Sequence, residues 1–140
     1  MGGHCISVDP WFLVEKFDDA KLIHQARMTN DYKPHWVASK IQHEIAYDKT
    51  KTIGIMGLSF KPNIDDMRES PSEIVVEDLI NAGYNVIGCE PNVNVNEAFG
   101  IKLYSIEECC QNADVLLVAQ KREAFEEFMP MIEEKMLYIL

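Results

Sequence analysis

Apolar and polar residues alternate along this chain in two different rhythms, and the change falls near residue 50. Upstream, Leu22, Ile23, Ala26, Trp36, Val37, Ile41 and Ile45 recur mostly at three- and four-residue steps, the period of a helix with one buried face. Thirty helical residues, from about Asp19 to Asp48, would span roughly 45 Å, more than the width of a small domain. Such a helix is expected to pack against something outside its own domain. Pro34 interrupts the run, so a kink or a fresh start is expected there, with Asn30 or Asp31 as cap. Ahead of it, Met1 to about Asp18 reads as a loop that passes through Asp9-Pro10 into a short helix or turn at Trp11–Val14.

Downstream of Lys51 the pattern becomes strand, then helix, repeatedly. Thr52–Gly57 is a short apolar run ending in glycine, as a buried parallel strand would be. Ser70-Pro71-Ser72-Glu73 is a helix start in which Ser70 and Glu73 have capping-box spacing. Ile74, Val75, Leu79 and Ile80 are expected to face a core, and Gly83 to end that helix. Asn85–Cys89, Val115–Val118 and Leu137–Leu140 predict three further strands. Ser105–Glu108 predicts a second capping box, and Glu123–Phe128 a helix. The expected fold is α/β: a Rossmann-like parallel sheet with helices on both faces, preceded by a long connecting helix.

Composition narrows the function. With 140 residues the chain is long enough for one good core. Neither a membrane span nor a signal-peptide pattern is readable, so a cytoplasmic protein with no membrane partner is expected. Twenty-three acidic against thirteen basic residues give a formal charge of -10, which repels a phosphate backbone and argues against nucleic acid as partner. Cys5, Cys89, Cys109 and Cys110 form no CxxC pair, so neither a zinc site nor a disulfide framework is expected. Each thiol, taken alone, reads as a small buried hydrophobe.

Two segments carry possible chemistry. The first runs Gly57-Leu-Ser-Phe60-Lys61-Pro-Asn-Ile-Asp65-Asp66-Met-Arg68-Glu-Ser70. It follows the first strand, and ligands of open α/β sheets bind beyond the carboxyl ends of the strands. Lys61 and Arg68 ahead of a helix start suit a phosphate-bearing ligand; equally, they could pair with Asp65, Asp66 and Glu69 on a solvated loop. Gly54 and Gly57 are followed by Phe60 where a dinucleotide fingerprint has its third glycine, and Glu90 reads as a surface acid. The second segment is Gly2-Gly3-His4-Cys5-Ile-Ser-Val-Asp9-Pro10. Paired glycines let backbone approach a ligand. A thiol with a carboxylate four residues on could be a nucleophile with a proton-handling partner, and His4 could assist.

Together these motifs resemble the UDP-glucose/GDP-mannose dehydrogenase family. The resemblance rests on GGHC-x3-DP followed by WFL, then ARxxND-x-KPxW, then G-x-SF-KPN-x-DD-x-RESP, in that order and spacing over nearly the whole chain. His4 and the VDPWF run resemble most the members that act on UDP-N-acetyl-D-mannosamine. Family members oxidise the C6 hydroxyl of a nucleotide sugar to a carboxylate by two hydride transfers to NAD+, through a cysteine thioester. The resemblance implies Cys5 as nucleophile and Asp9 as the group that activates water. It implies Gly2, Gly3 and His4 as the loop lining the sugar, Phe60 and Lys61 as holders of the UDP-sugar, and Arg68 as a contact to NAD. It also implies a division into a cysteine loop (1–18), a central helix building a homodimer (19–50) and a UDP-sugar-binding domain (51–140). The family's amino-terminal NAD-binding domain, with its lysine and asparagine for the developing oxyanion, has no counterpart here. The chain alone is therefore expected to fold, associate through its helix and turn over no substrate. Two other readings stay open: a non-catalytic nucleotide-binding module with an inert Cys5, and a dimerisation fragment.

Overall fold

Strand and helix alternate after Lys51 in the computed structural model, which describes residue 3 and residues 5–139. The expectations for Gly2, His4 and Leu140 fall outside those residues. Four strands, β1 (Thr52–Met56), β2 (Asn85–Cys89), β5 (Val115–Val118) and β6 (Met136–Ile139), form one sheet in the order β2-β1-β5-β6. Every pairing is parallel, with Ile53 opposite Val86 on one side and Val115 on the other.

Side chains leave alternate faces of a strand, and here both faces are buried. Ile53, Ile55, Val86 and Leu117 meet Val75, Val76 and Leu79 of α3 (Pro71–Asn81) and Val37, Ala38 and Ile41 of α2 (Lys21–Glu44). Met56, Ile87, Leu116 and Val118 meet Cys109 and Cys110 of α4 (Ile106–Asn112), Phe125 of a 3-10 turn (Glu123–Phe128) and Ile132 of α5 (Met129–Lys135). Fully burying each such aliphatic side chain contributes about 1.5–3 kcal/mol, so the two cores fix the sheet between its helices. Helices thus cover both faces, as expected. Among the described residues no helix is long and apolar enough to cross a membrane.

Several local expectations need correction. The helix α2 does not restart at Pro34; it runs unbroken for 24 residues, with Asp31 engaged by Arg27 one turn back instead of capping. A proline has no N–H to give the preceding turn, but Pro34 is itself buried with Val37 and Ala38, and packing outweighs the lost bond. The helix ends without glycine: Ala46 and Tyr47 take left-handed φ values of 51° and 58°, and the Tyr47 amide donates to the Gln42 carbonyl at 2.8 Å. Ser70 does cap α3, yet its hydroxyl takes the Ser72 amide, so the Ser70–Glu73 box is not made. The Ser105–Glu108 box is complete. Ile80 is exposed, and Val76 takes the core position expected of it. Glu123–Phe128 is a 3-10 turn that leads into α5, and a short hairpin, β3 (Glu97–Ala98) with β4 (Ile101–Lys102), gave no sequence signal.

The amino-terminal end is a turn over residues 5–8 leading into α1 (Asp9–Lys16), which carries Asp9 and Pro10 in its first turn. This helix lies on α2, where the Trp11 and His24 rings meet edge-on at 5.5 Å.

Candidate functional site

The turn that follows β1 is held at many points. Gly57 takes φ +82°, and a Cβ there would stand 2.2 Å from the Gln120 carbonyl oxygen, so only glycine lets the β1 and β5 ends approach this closely. Its amide donates to the Cys89 carbonyl at 2.9 Å, which ties in the end of β2. Ser59 is buried, while Phe60 is half-buried and Lys61 exposed. Beyond them Asn63 and Glu69 adopt left-handed φ values of 56° and 52°. Each such residue costs on the order of 1 kcal/mol or more.

The two cations of this turn behave differently. Arg68 donates from Nε and Nη2 to the two oxygens of Asp66 at 2.9 and 2.8 Å, on an exposed stretch. Lys61 makes no ion pair among the described residues; its Nζ stands 5.5 Å from the centroid of the Phe60 ring. Pairing within the loop thus describes Arg68, while Lys61 is left facing solvent beside an aromatic ring. Phe60 also lines a cleft of about 320 Å³ at the carboxyl ends of β1 and β5, together with Lys33, Ser70 and Gln120. Lys33, on α2, lies within the ARxxND-x-KPxW motif but carried no expected role, and Gln120, just beyond β5, has no motif around it.

The thiol segment docks onto this same turn. Gly3 donates its amide to the Glu69 carbonyl at 3.0 Å and lies against the Phe60 ring. Arg27, buried on α2, reaches from Nη1 to the Ile6 carbonyl at 3.3 Å and from Nη2 to Asp31. Cys5 is exposed, unlike the other three thiols, and so departs from the reading of four buried hydrophobes. Its carbonyl accepts the Asp9 amide at 2.8 Å, which sets the exposed Asp9 one turn beyond the thiol at the start of α1. Gly3 thereby sets the segment that carries Cys5 against the turn that carries Phe60 and Lys61.

Residues 54–138 match the UDP binding domain of the UDP-glucose/GDP-mannose dehydrogenase family. The chain belongs to this family. Among curated relatives, a UDP-N-acetyl-D-mannosamine dehydrogenase of Methanocaldococcus jannaschii is 41% identical over 128 residues, covering 91% of this chain and 29% of that protein. An NDP-N-acetyl-D-galactosaminuronic acid dehydrogenase of Ralstonia nicotianae is 38% identical over 129 residues, 89% of this chain and 30% of that protein. Of solved structures, the UDP-D-ManNAc dehydrogenase of Pyrococcus horikoshii superposes with a TM-score of 0.79 at 28% identity, over 99% of this chain and 34% of the other. The chain spans about a third of the length of the relatives it matches.

Members of an oxidoreductase family raise the question of a dinucleotide site, and the described residues do not make one. Phe60 occupies the place of a third glycine. Glu90, which follows β2 where a ribose-binding acid would stand, is not the surface acid expected; it is 4% exposed and committed to Arg122. Arg68, the residue expected to contact a dinucleotide, is exposed and paired with Asp66. Nor is any group of three or more His, Cys, Asp or Glu placed to hold a metal ion among the described residues.

Proposed function

We propose that the chain is the UDP-sugar-binding part of an NAD-dependent UDP-sugar 6-dehydrogenase, one that converts UDP-N-acetyl-D-mannosamine to the corresponding uronate. The observation that carries this reading is the docking of the Cys5 loop on the turn bearing Phe60 and Lys61, through Gly3. A ligand held by Phe60, Lys61 and the cleft beside them would present its sugar towards Gly2, Gly3, His4 and the thiol. The division into a cysteine loop (1–18), a dimer-forming helix (19–50) and a binding domain (51–140) follows from the same reading. Cytoplasmic residence suits four reduced thiols.

In this scheme the Cys5 thiolate adds to the C6 aldehyde, forming a C–S bond while the carbonyl oxygen takes a proton. Hydride loss to an acceptor outside these residues leaves a thioester. Water activated by Asp9 then attacks, the C–S bond breaks, and the thiol returns with the free acid. The Lys61 ammonium, unpaired among neighbouring acids, is suited to the diphosphate, and the Phe60 ring to a base or sugar face. NAD would be met by this chain through Arg68 alone. Because no dinucleotide bed is formed by the described residues, the 140-residue chain by itself is expected to reduce no NAD+.

Titration with UDP and with UDP-N-acetylmannosamine tests the reading. Binding of both, and slower alkylation of Cys5 when the sugar nucleotide is present, is the expected result. A chain that binds neither, while remaining folded, would remove the nucleotide assignment. Association without any nucleotide binding would favour a dimerisation fragment instead.

A further inference from the structure

At the carboxyl ends of β1, β2 and β5 lies an ion pair that the chemistry above does not use. The side chains of Glu90 and Arg122 are both fully buried. Arg122 donates from Nε to Glu90 Oε1 at 3.1 Å and from Nη2 to Oε2 at 2.6 Å, a two-pronged match of guanidinium to carboxylate. Burial by itself would raise the Glu90 carboxyl. The Arg122 bonds, the Ser59 amide and the Arg122 charge together hold it below the ordinary carboxylate range.

A buried ion pair is seldom retained for stability alone, since well-packed apolar side chains of similar size often do as well. The remaining partners of this pair show what it organises. Glu90 Oε2 accepts the Ser59 amide at 2.9 Å. Arg122 Nη2 also donates to Ser59 Oγ at 2.6 Å, and that hydroxyl has the carbonyls of Lys61 and Ile64 at 3.1 and 3.0 Å, and Glu90 Oε2 at 3.2 Å, to receive its single proton. On the other side the Asn92 amide reaches Glu90 Oε1 at 3.3 Å. The pair is therefore bonded to the backbone just before Phe60, and through Ser59 to the backbone just after it.

We infer that Ser59, Glu90 and Arg122 are positioning residues, a clamp that holds residues 59–64 in the shape presenting Phe60 and Lys61 to the ligand. None of the three faces the cleft with a free polar group. They act through the turn, and the site's preorganisation depends on them. The inference rests on the nucleotide-binding reading for the identity of the ligand, but not for the existence of the clamp.

Amide hydrogen exchange and UDP titration on the full chain separate these points. In the double variant Glu90→Leu/Arg122→Met, exchange across residues 58–66 should rise about tenfold or more, and UDP affinity should fall by about as much, while β1 and β5 keep their protection. Should that variant fail to fold, Ser59→Ala leaves the ion pair intact and should show the same local loss to a smaller degree. Arg122→Lys keeps the charge without the two-pronged fit and should fall between wild type and the double variant. Unchanged exchange and affinity in Ser59→Ala would overturn the clamp. So would exchange that rises evenly over the whole sheet, because that is the mark of a purely structural pair. If wild type binds no UDP, the nucleotide assignment is what fails, and the exchange profile alone decides the clamp.

Discussion

Gly3 and Phe60 are in such close contact that a Cβ at position 3 would stand 2.6 Å from Cε2 of the Phe60 ring and 2.8 Å from Cδ2. This contact joins the thiol loop to the turn that follows β1, two segments almost sixty residues apart. It is reinforced by the Gly3 amide on the Glu69 carbonyl. Gly3 also sits at φ +89°, a conformation that costs a non-glycine residue about 1–3 kcal/mol.

Gly3→Ala should therefore displace the loop or the ring. The core is untouched, so the melting temperature should fall by only a few degrees, in keeping with about 1 kcal/mol. The larger effect should be local: faster alkylation of Cys5 and weaker UDP-sugar binding. Wild-type behaviour in both assays would show that the Gly3–Phe60 contact does not organise the site.

The four thiols should divide sharply towards an alkylating agent at mildly alkaline pH. Burial pushes the Cys109 thiol up to about 12, with Cys110 beside it adding to the shift. Burial likewise raises Cys89 and Cys110, in the latter against the opposing charge of Lys135. Thiolate is the reacting form, and these three are both neutral and covered. Intact-mass measurement should find one label in the native chain, at Cys5, and four after denaturation. Cys5→Ser should abolish native labelling; labelling of Cys109 at a comparable rate would contradict its burial in the α4 face of the core.

How far the sequence foretold this molecule depended on how local each signal was. The parallel strands at Thr52, Asn85 and Val115 were legible because buried runs bounded by Gly, Pro and Asp leave a short-range mark. The Ser105–Glu108 box was legible for the same reason. Pro34 misled as to a fresh start, since its cost is local while the packing of Val37, Ala38 and Ile41 that overrides it is not. In the site, Cys5, Phe60 and Lys61 stood out through motif spacing. Glu90 and Arg122 did not, because an acid and a base thirty-two residues apart reveal nothing of their pairing until the sheet brings the ends of β2 and β5 together. The Gly3–Phe60 contact was hidden likewise, although both residues had been marked separately.

Glu90 should also shape the acid limb of stability. Its carboxyl is held below the ordinary value of 4.5 in the fold, despite burial, by its bonds to Arg122 and Ser59. A depressed folded pKa means that the stabilisation is present above about pH 4.5 and is lost as pH falls through the lowered folded value. Glu90→Gln leaves the buried Arg122 charge without its partner and should cost about 3 kcal/mol near neutrality. That gap in urea midpoint should narrow as pH drops below 4.5, where Glu90 of the unfolded chain takes up a proton before that of the folded one. A gap that stays constant from neutrality to acid would mean that the fold does not lower the Glu90 carboxyl.

Self-association is expected from the uncovered side of α1 and α2. No residue of α1 is buried, nor is any of the first six of α2. Leu22 is 83% exposed, Phe12 64% and Tyr32 62%, with Phe17 and Met28 also open. At 24 residues α2 is about 36 Å long, and its buried positions, from Arg27 to Ile41, leave its first turns unsupported by the sheet. Burying a Leu or Phe fully is favourable by about 1.5–3 kcal/mol, so a few such side chains joining across a twofold could sustain a dimer. Light scattering on wild type should give a mass near twice the 16.0 kDa of one chain. Phe12→Asp/Leu22→Asp should shift this towards one chain while leaving the melting of the β1–β2–β5–β6 sheet nearly unchanged, because neither residue touches its core. A monomeric wild type at high concentration, or a double variant that stays dimeric, would assign the exposed face of these helices no part in self-association.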